Sequence, residues 1–200
     1  VQTCALPIYL KTFDRVIANP PFSAKAWWSP LEIEAETEQD SANGKKPKSP
    51  NYKTVNDPFS RFFYGIPPRG YADLAFAQHM LASLKADGRM GIILPHGVLF
   101  RSGEEGKIRH GLLFGTSAGQ GNHPGDLIEA IVGLPTALFY NTGIPACVLI
   151  LNKKKSKALK GKVIIIDASR DFAEGKAQNS LRAEDVQRIV AAHRAAFEKQ

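Results

Sequence analysis

Asn19-Pro20-Pro21-Phe22 places an amide, two rings that lack a backbone donor and an aromatic face in consecutive positions. Each proline holds φ near about −65° and removes an N–H, and a residue that precedes a proline is driven toward extended geometry. A strand that reaches Asn19 must therefore stop there, in a rigid corner. The corner offers the Asn19 side-chain oxygen, the Pro20 carbonyl and the Phe22 ring to one small volume, with no proline N–H to compete. Two acceptors beside an aromatic face suit a flat ring that carries an amino group.

The elements around the corner follow from hydrophobic spacing. Residues 12–18 read as a strand, which puts the corner at its carboxyl end, where open α/β sheets bind ligands. Apolar periodicity is absent from 23 to 57, through Trp27-Trp28-Ser29-Pro30, an acidic run from Glu32 to Asp40 and a Gly/Lys/Pro/Ser stretch to Pro50, so an irregular functional loop is expected there. Asp57 to Gly70 is aromatic but broken by Gly and Pro, an ordered loop in which Phe62, Phe63 and Tyr64 serve packing. Leu74, Phe76, Ala77, Met80, Leu81 and Leu84 recur at helical spacing, with Asp87-Gly88 as the expected stop. Arg89 to Leu94 is an apolar strand closed by Pro95. Strand, helix, strand in this order implies a parallel crossover. A second helix is expected from Ser102 to Leu113, acidic at its start and basic toward its end. Gly115 to Gly125 is a loop with no phosphate-binding spacing. Strands follow at Leu127–Leu134 and Ala146–Leu151, then a lysine-rich solvated connection, an apolar run at Val163–Ile166 and a helix within Arg182–Lys199.

With 200 residues, 44% of them hydrophobic, the chain can bury a sizeable core, and no run approaches a membrane span. A net charge of +7 and a pI near 9.4 suit a polyanionic partner. Cys4 and Cys147 do not make a disulfide framework, so a reducing cytoplasm is the default. The first eight residues, Val1-Gln2-Thr3-Cys4-Ala5-Leu6-Pro7-Ile8, equal the in-frame translation of a common sequencing-adapter sequence. They are read as a non-native leader, with native sequence from near Tyr9.

Asn-Pro-Pro-Phe at the end of such a strand resembles the (Asp/Asn/Ser)-Pro-Pro-(Tyr/Phe) signature of amino methyltransferases. The resemblance extends through Tyr64-Gly-Ile-Pro-Pro68, Ala72-Asp-Leu-Ala-Phe76, Gly91-Ile-Ile-Leu-Pro-His-Gly-Val-Leu-Phe-Arg101, Gly133-Leu-Pro135 and Thr142-Gly-Ile-Pro145, roughly Lys11 to Asn179. As an ordered set these blocks resemble the modification subunit of type I restriction-modification systems, an N6-adenine DNA methyltransferase. What the resemblance implies is an α/β fold: the carboxy-terminal half of a Rossmann-like class I methyltransferase sheet, with parallel strands plus an antiparallel last strand, incomplete. The expected division is a leader at 1–8, a partial catalytic domain at 9–170 and a carboxy-terminal helical segment at 171–200. The loop between the last two strands is expected to face the corner.

The resemblance further implies that Asn19 and Pro20 accept the two hydrogens of the adenine amino group. Pro21 would keep the corner rigid, and Phe22 would stack on the base with Phe139 or Tyr140 as the second wall. Implied too are S-adenosylmethionine as methyl donor, double-stranded DNA with a flipped adenine, a specificity subunit with or without a restriction subunit, and no membrane. The family's donor-binding glycine turn and acidic residue would precede Asn19, and neither is present, so cofactor-binding residues are unassigned and the chain alone is expected to be inactive. No metal is implied. Two other readings stay open: a methyltransferase of this signature acting on RNA or on protein glutamine, and a non-catalytic DNA-binding or assembly module.

Overall fold

The computed structural model describes residues 10–28, 57, 59–117, 121–140 and 142–198. The leader and the acidic run lie outside the described residues. Five strands, β1 (Phe13–Ala18), β2 (Leu84–Pro95), β3 (Ile128–Gly133), β4 (Ala146–Asn152) and β5 (Ile164–Asp167), form one sheet in the order β1-β2-β4-β3-β5. β1 and β2 are parallel, as are β3 and β5, whereas β4 runs antiparallel to both of its neighbours. The mixed sheet agrees with the expected fold class, and β5 continues it beyond the antiparallel strand. Among the described residues β1 pairs with β2 alone, and its Ile17 is 87% exposed.

Alternation along the strands separates two faces. Met90, Ile92 and Leu94 of β2 turn to the same side as Leu149 and Leu151 of β4, where α1 (Asp73–Ala82) and α2 (Glu104–Phe114) cover them with Leu74, Met80, Ile108 and Leu112. The helices thus come from the two stretches read above as helical. The first ends earlier than its periodicity implies: Ser83 caps α1 through Oγ to the His79 carbonyl at 2.9 Å, and β2 begins at Leu84. Leu84 supports a strand as well as a helix. Pairing decides between them, because Phe13 lies opposite Leu84 and its N–H donates to the Ser83 carbonyl at 2.9 Å. Asp87-Gly88 then falls within a bulge, where Arg15 is already opposite Arg89.

The lysine-rich connection after β4 is solvated at Lys154, Lys157, Lys160 and Lys162, as expected, but Lys153 and Lys155 are bonded into the fold. Lys155 Nζ donates to Asp126 Oδ1 at 2.5 Å and to the carbonyls of Ile128 at 3.0 Å and Lys162 at 2.6 Å, and Lys153 Nζ donates to the Leu84 carbonyl at 2.7 Å. Burial pushes the Asp126 carboxyl up, but the Lys155 ammonium and the Gly161 N–H outweigh it and hold the group below its usual range.

α3 (Ala183–Glu198) lies against β5, and Ile189 joins Val132, Leu134 and Ala168 in a second apolar cluster. Buried Glu129 of β3 links three elements, meeting Asn152 Nδ2 at 2.5 Å, Arg89 at 3.3 Å and His193 of α3 at 3.4 Å. The start of α3 is fastened by Asp185, which accepts the Arg182 backbone N–H and guanidinium, each at 2.9 Å, in the manner of the acidic half of a capping box. The Arg182 hydrogen bond, against the opposing effect of burial, holds the Asp185 carboxyl down at about 2. An unfolded aspartate titrates near about 3.9, so this contribution is complete above that pH and is lost as pH falls through the folded value. Helical ellipticity from α3 is expected to fall between about pH 4 and pH 2, and Asp185→Asn should remove that part of the acid transition. An acid transition identical in the variant would contradict the assignment. No described helix is long and apolar enough to cross a membrane.

Candidate active site

The parallel β1-β2 pair brings the ends of both strands to one edge, since Ala18 is opposite Ile92. Antiparallel β4 begins at that same edge, with Ala146 opposite Pro95. The corner after β1 and the loop entering β4 are therefore neighbours, although more than a hundred residues separate them in the chain.

A cavity of about 500 Å³ lies between them, lined by Asn19, Pro20, Pro21 and Phe22 on one side and Phe139, Tyr140, Thr142 and Ile144 on the other. All six residues expected at a site from sequence are brought together. Asn19 is exposed, and no hydrogen bond among the described residues engages its side chain, so the amide faces the cavity uncommitted. Thr142 and Ile144 were legible only as part of the Thr-Gly-Ile-Pro block; their place on the wall follows from the loop's shape.

Phe139 and Tyr140 have different surroundings. Phe139 meets Phe22 edge to face, with centroids 5.4 Å apart and ring planes at 74°, and its other side packs on the Val132, Leu134 and Ala168 cluster. It also pairs with Thr142 in an isolated antiparallel bridge, which leaves Tyr140 in the turn between them, 85% exposed. The next residue, Asn141, lies outside the described residues. Phe139 thus packs against Phe22, while the Tyr140 ring is exposed at the mouth of the cavity.

Both halves are tied down from behind. After Phe22 the chain is stitched to the loop before α1: Ala26 N–H donates to the Arg69 carbonyl at 2.9 Å, Trp27 Nε1 to the Pro68 carbonyl at 2.9 Å, and the Ala24 carbonyl accepts Ala72 N–H at 3.2 Å. The opposite loop is held by the carboxy-terminal segment. Gln178 Nε2 donates to the Leu138 carbonyl at 2.6 Å, and Asn179 donates from Nδ2 to Thr136 and from its backbone to Ala137, each at 2.9 Å. Neither Gln178 nor Asn179 carried a sequence signal for this role, because each acts through backbone carbonyls that only the fold brings near. Tyr64 performs the packing expected of it, with its hydroxyl on the Pro124 carbonyl at 2.6 Å and burial raising its pKa to about 12.

A larger cleft of about 1010 Å³ lies between Phe62–Ile66 and α2. Its cations are already used: Arg109 on the carbonyls of Val98 and Arg101, and Lys107 on Glu104. Phe62, Phe63 and Tyr64 form one wall, and Glu104, Lys107, Arg109 and His110 line the other. Among the described residues no cluster of three or more His, Cys, Asp or Glu is placed to hold a metal ion. Cys147 is buried on β4, and burial pushes its thiol up to about 11, which makes it an inert core group.

The site is thus a mixed α/β sheet that ends one strand in an amide-and-proline corner, faced by aromatic rings from a loop between antiparallel strands. Comparison with known proteins places it further. Residues 5–200 match the family model described as N-6 DNA Methylase, and the chain belongs to that family. It is 32% identical over 182 residues to the type I restriction enzyme HindI methylase subunit of Haemophilus influenzae, covering 90% of this chain and 33% of that protein. The MjaVII methylase subunit of Methanocaldococcus jannaschii is 35% identical over 180 residues, 88% of this chain and 26% of that one. The crystal structure of a type I restriction-modification methyltransferase subunit from Streptococcus thermophilus superposes with a TM-score of 0.66 at 35% identity, over 98% of this chain and 34% of that one. The chain thus spans between a quarter and a third of the length of these relatives.

Proposed function

We propose that this chain is the catalytic-corner portion of a type I modification subunit, which transfers a methyl group from S-adenosylmethionine to N6 of adenine in DNA. The observation that carries the reading is the convergence on one cavity of an uncommitted Asn19 amide, the Pro20 carbonyl side of a rigid corner and aromatic rings from two loops. The set suits the acceptor base, because neutral oxygens and rings line it and, among the described residues, no carboxylate does. When bound, S-adenosylmethionine supplies an electrophilic methyl group; its own binding residues are left unassigned.

An exocyclic amine of adenine is a weak nucleophile, since its lone pair is delocalised into the ring. Acceptance of its two hydrogens by Asn19 Oδ1 and the Pro20 carbonyl draws the nitrogen toward tetrahedral geometry and localises that pair. Positioning and fixed dipoles carry the acceleration. A strong base is unnecessary: the nitrogen's extra proton becomes acidic only after transfer and leaves to water. A paired adenine cannot reach the cavity, so the base is flipped out of duplex DNA and held on Phe22, with Tyr140 closing over it and Phe139 supporting Phe22. The net charge of +7 favours the polyanion, and a specificity subunit would select the sequence, with or without a restriction subunit in the complex.

The test is to incubate the full-length subunit, assembled with its specificity partner, with methyl-labelled S-adenosylmethionine and duplex DNA, RNA or protein. Label recovered as N6-methyladenine from DNA is the expected result. Label in RNA or on glutamine would move the same corner to another substrate, and no label on any of the three would leave a binding module.

A further inference from the structure

Asp73 opens α1, where an acidic residue ordinarily serves the helix dipole or a cap. Here it does neither job alone. Its carboxylate is fully buried, and among the described residues no side chain caps the α1 start. Oδ1 accepts the backbone N–H of Ser23 at 2.7 Å, and Oδ2 accepts the Ser23 hydroxyl at 3.2 Å. Ser23 follows Phe22 directly and sits at φ 49°, a left-handed conformation that a serine adopts reluctantly. Both acceptor atoms of a residue fifty positions away are thus spent on holding the turn that ends the corner.

The charge has its own counter-ion. Arg101 Nη1 lies 3.2 Å from Asp73 Oδ2 and 3.4 Å from Glu105 Oε1, and its guanidinium stacks on Tyr71 with 4.1 Å from Cζ to the ring centroid. The Arg101 carbonyl is held in turn by Arg109 Nη1 at 2.6 Å. Glu105 is equally enclosed; burial first, then the neighbouring Asp73 charge, pushes its carboxyl up, against the pull of Arg101 and Arg109. The Arg101 guanidinium thus lies between the two carboxylates and pairs with both, a little nearer to Asp73. A buried charge is costly unless it is paired and hydrogen-bonded, and a purely packing role at this position would be met by an apolar side chain.

We propose that Asp73 is a positioning residue for methyl transfer: held by Arg101, its buried carboxylate fixes the left-handed Ser23 turn and thereby the aim of the Phe22 ring and the proline carbonyls at the target base. The proposal rests on the reading of the Asn19 corner given above. A bound base held by acceptors of fixed direction reacts in a near-attack geometry, and a displacement of about 1 Å at the reacting atoms lowers a rate by about 10²-fold.

The experiment uses the full-length subunit with its specificity partner, and compares Asp73→Asn, Asp73→Ala, Ser23→Gly and, as control, Asn19→Ala. Single-turnover transfer to duplex DNA is measured per cofactor-binding site, so that any unfolded fraction is excluded, together with KM for DNA and for cofactor. Asp73→Asn keeps an acceptor for the Ser23 N–H and should lower the rate about 10-fold, and Asp73→Ala, which loses both acceptors, about 100-fold, with both KM values within about twofold of wild type. Ser23→Gly leaves the Asp73–Arg101–Glu105 ion pairs intact and relieves the backbone strain, but frees the turn; a fall of about 3- to 10-fold is expected even if the Asp73 variants do not fold. A merely structural Asp73 would reduce the number of sites and leave the rate per site unchanged. The proposal is overturned if Asn19→Ala lowers transfer about 10²-fold or more while the variants that fold stay within about twofold of wild type per site. Normal transfer by Asn19→Ala would instead overturn the reading of the corner itself.

Discussion

Replacing Asn19 by alanine in the full-length subunit is expected to lower methyl transfer to adenine about 10²- to 10³-fold, the size of effect that follows loss of one preorganised polar contact to the reacting group. The residue is exposed at the end of β1, so its removal should change stability by less than about 0.5 kcal/mol and leave DNA affinity within about twofold. What the alanine loses is one of two acceptors that localise the lone pair on the amine. Asn19→Asp, which restores an oxygen at that position, should recover part of the rate. Unchanged methylation by the alanine variant, measured as labelled adenine per active site, would reject Asn19 as a catalytic group.

Phe22→Ala should produce the second large effect, about a 10²-fold loss of transfer. A base held by aromatic stacking loses about 1–3 kcal/mol with the ring, and the edge-to-face contact with Phe139 adds about 0.5–1.5 kcal/mol in this geometry. The companion variants separate the two roles given to the opposite loop. Tyr140, 85% exposed, should affect the reaction with no change in melting temperature when replaced by alanine. Phe139→Ala should lower both, because the ring also packs on Val132, Leu134 and Ala168. Equal losses of activity and unequal losses of stability from these two would support the division; full activity in Phe22→Ala would remove the stacking wall from the scheme.

Much of the site was legible because its chemistry is concentrated in contiguous residues. Two prolines stop a strand wherever they occur, and an amide before them is held extended by local sterics alone. The helices and buried strands were legible for a similar reason, since spacing of apolar side chains is a local pattern. The misplacements occurred where local preference was balanced. Leu84 suits a helix and a strand alike, and pairing with Phe13 resolved it. Lys155 looks solvated in a run of lysines, yet three acceptors from Asp126, Ile128 and Lys162 surround its ammonium once β3 and β4 are side by side.

By itself, the order of residues determined that Asn19-Pro20-Pro21-Phe22 ends a strand in a rigid, acceptor-bearing corner, that the surrounding blocks resemble amino methyltransferases, and that the chain carries surplus positive charge. Tertiary structure alone decided that Phe139 packs on Phe22 while Tyr140 is exposed, that Gln178 and Asn179 hold the facing loop, and that Asp73 accepts from Ser23. The physical reason is the range of the forces concerned. Backbone sterics and periodic burial act within a few residues and are written locally. A carboxylate's choice between its own helix and a serine fifty positions away is made only when packing has brought both within hydrogen-bond distance.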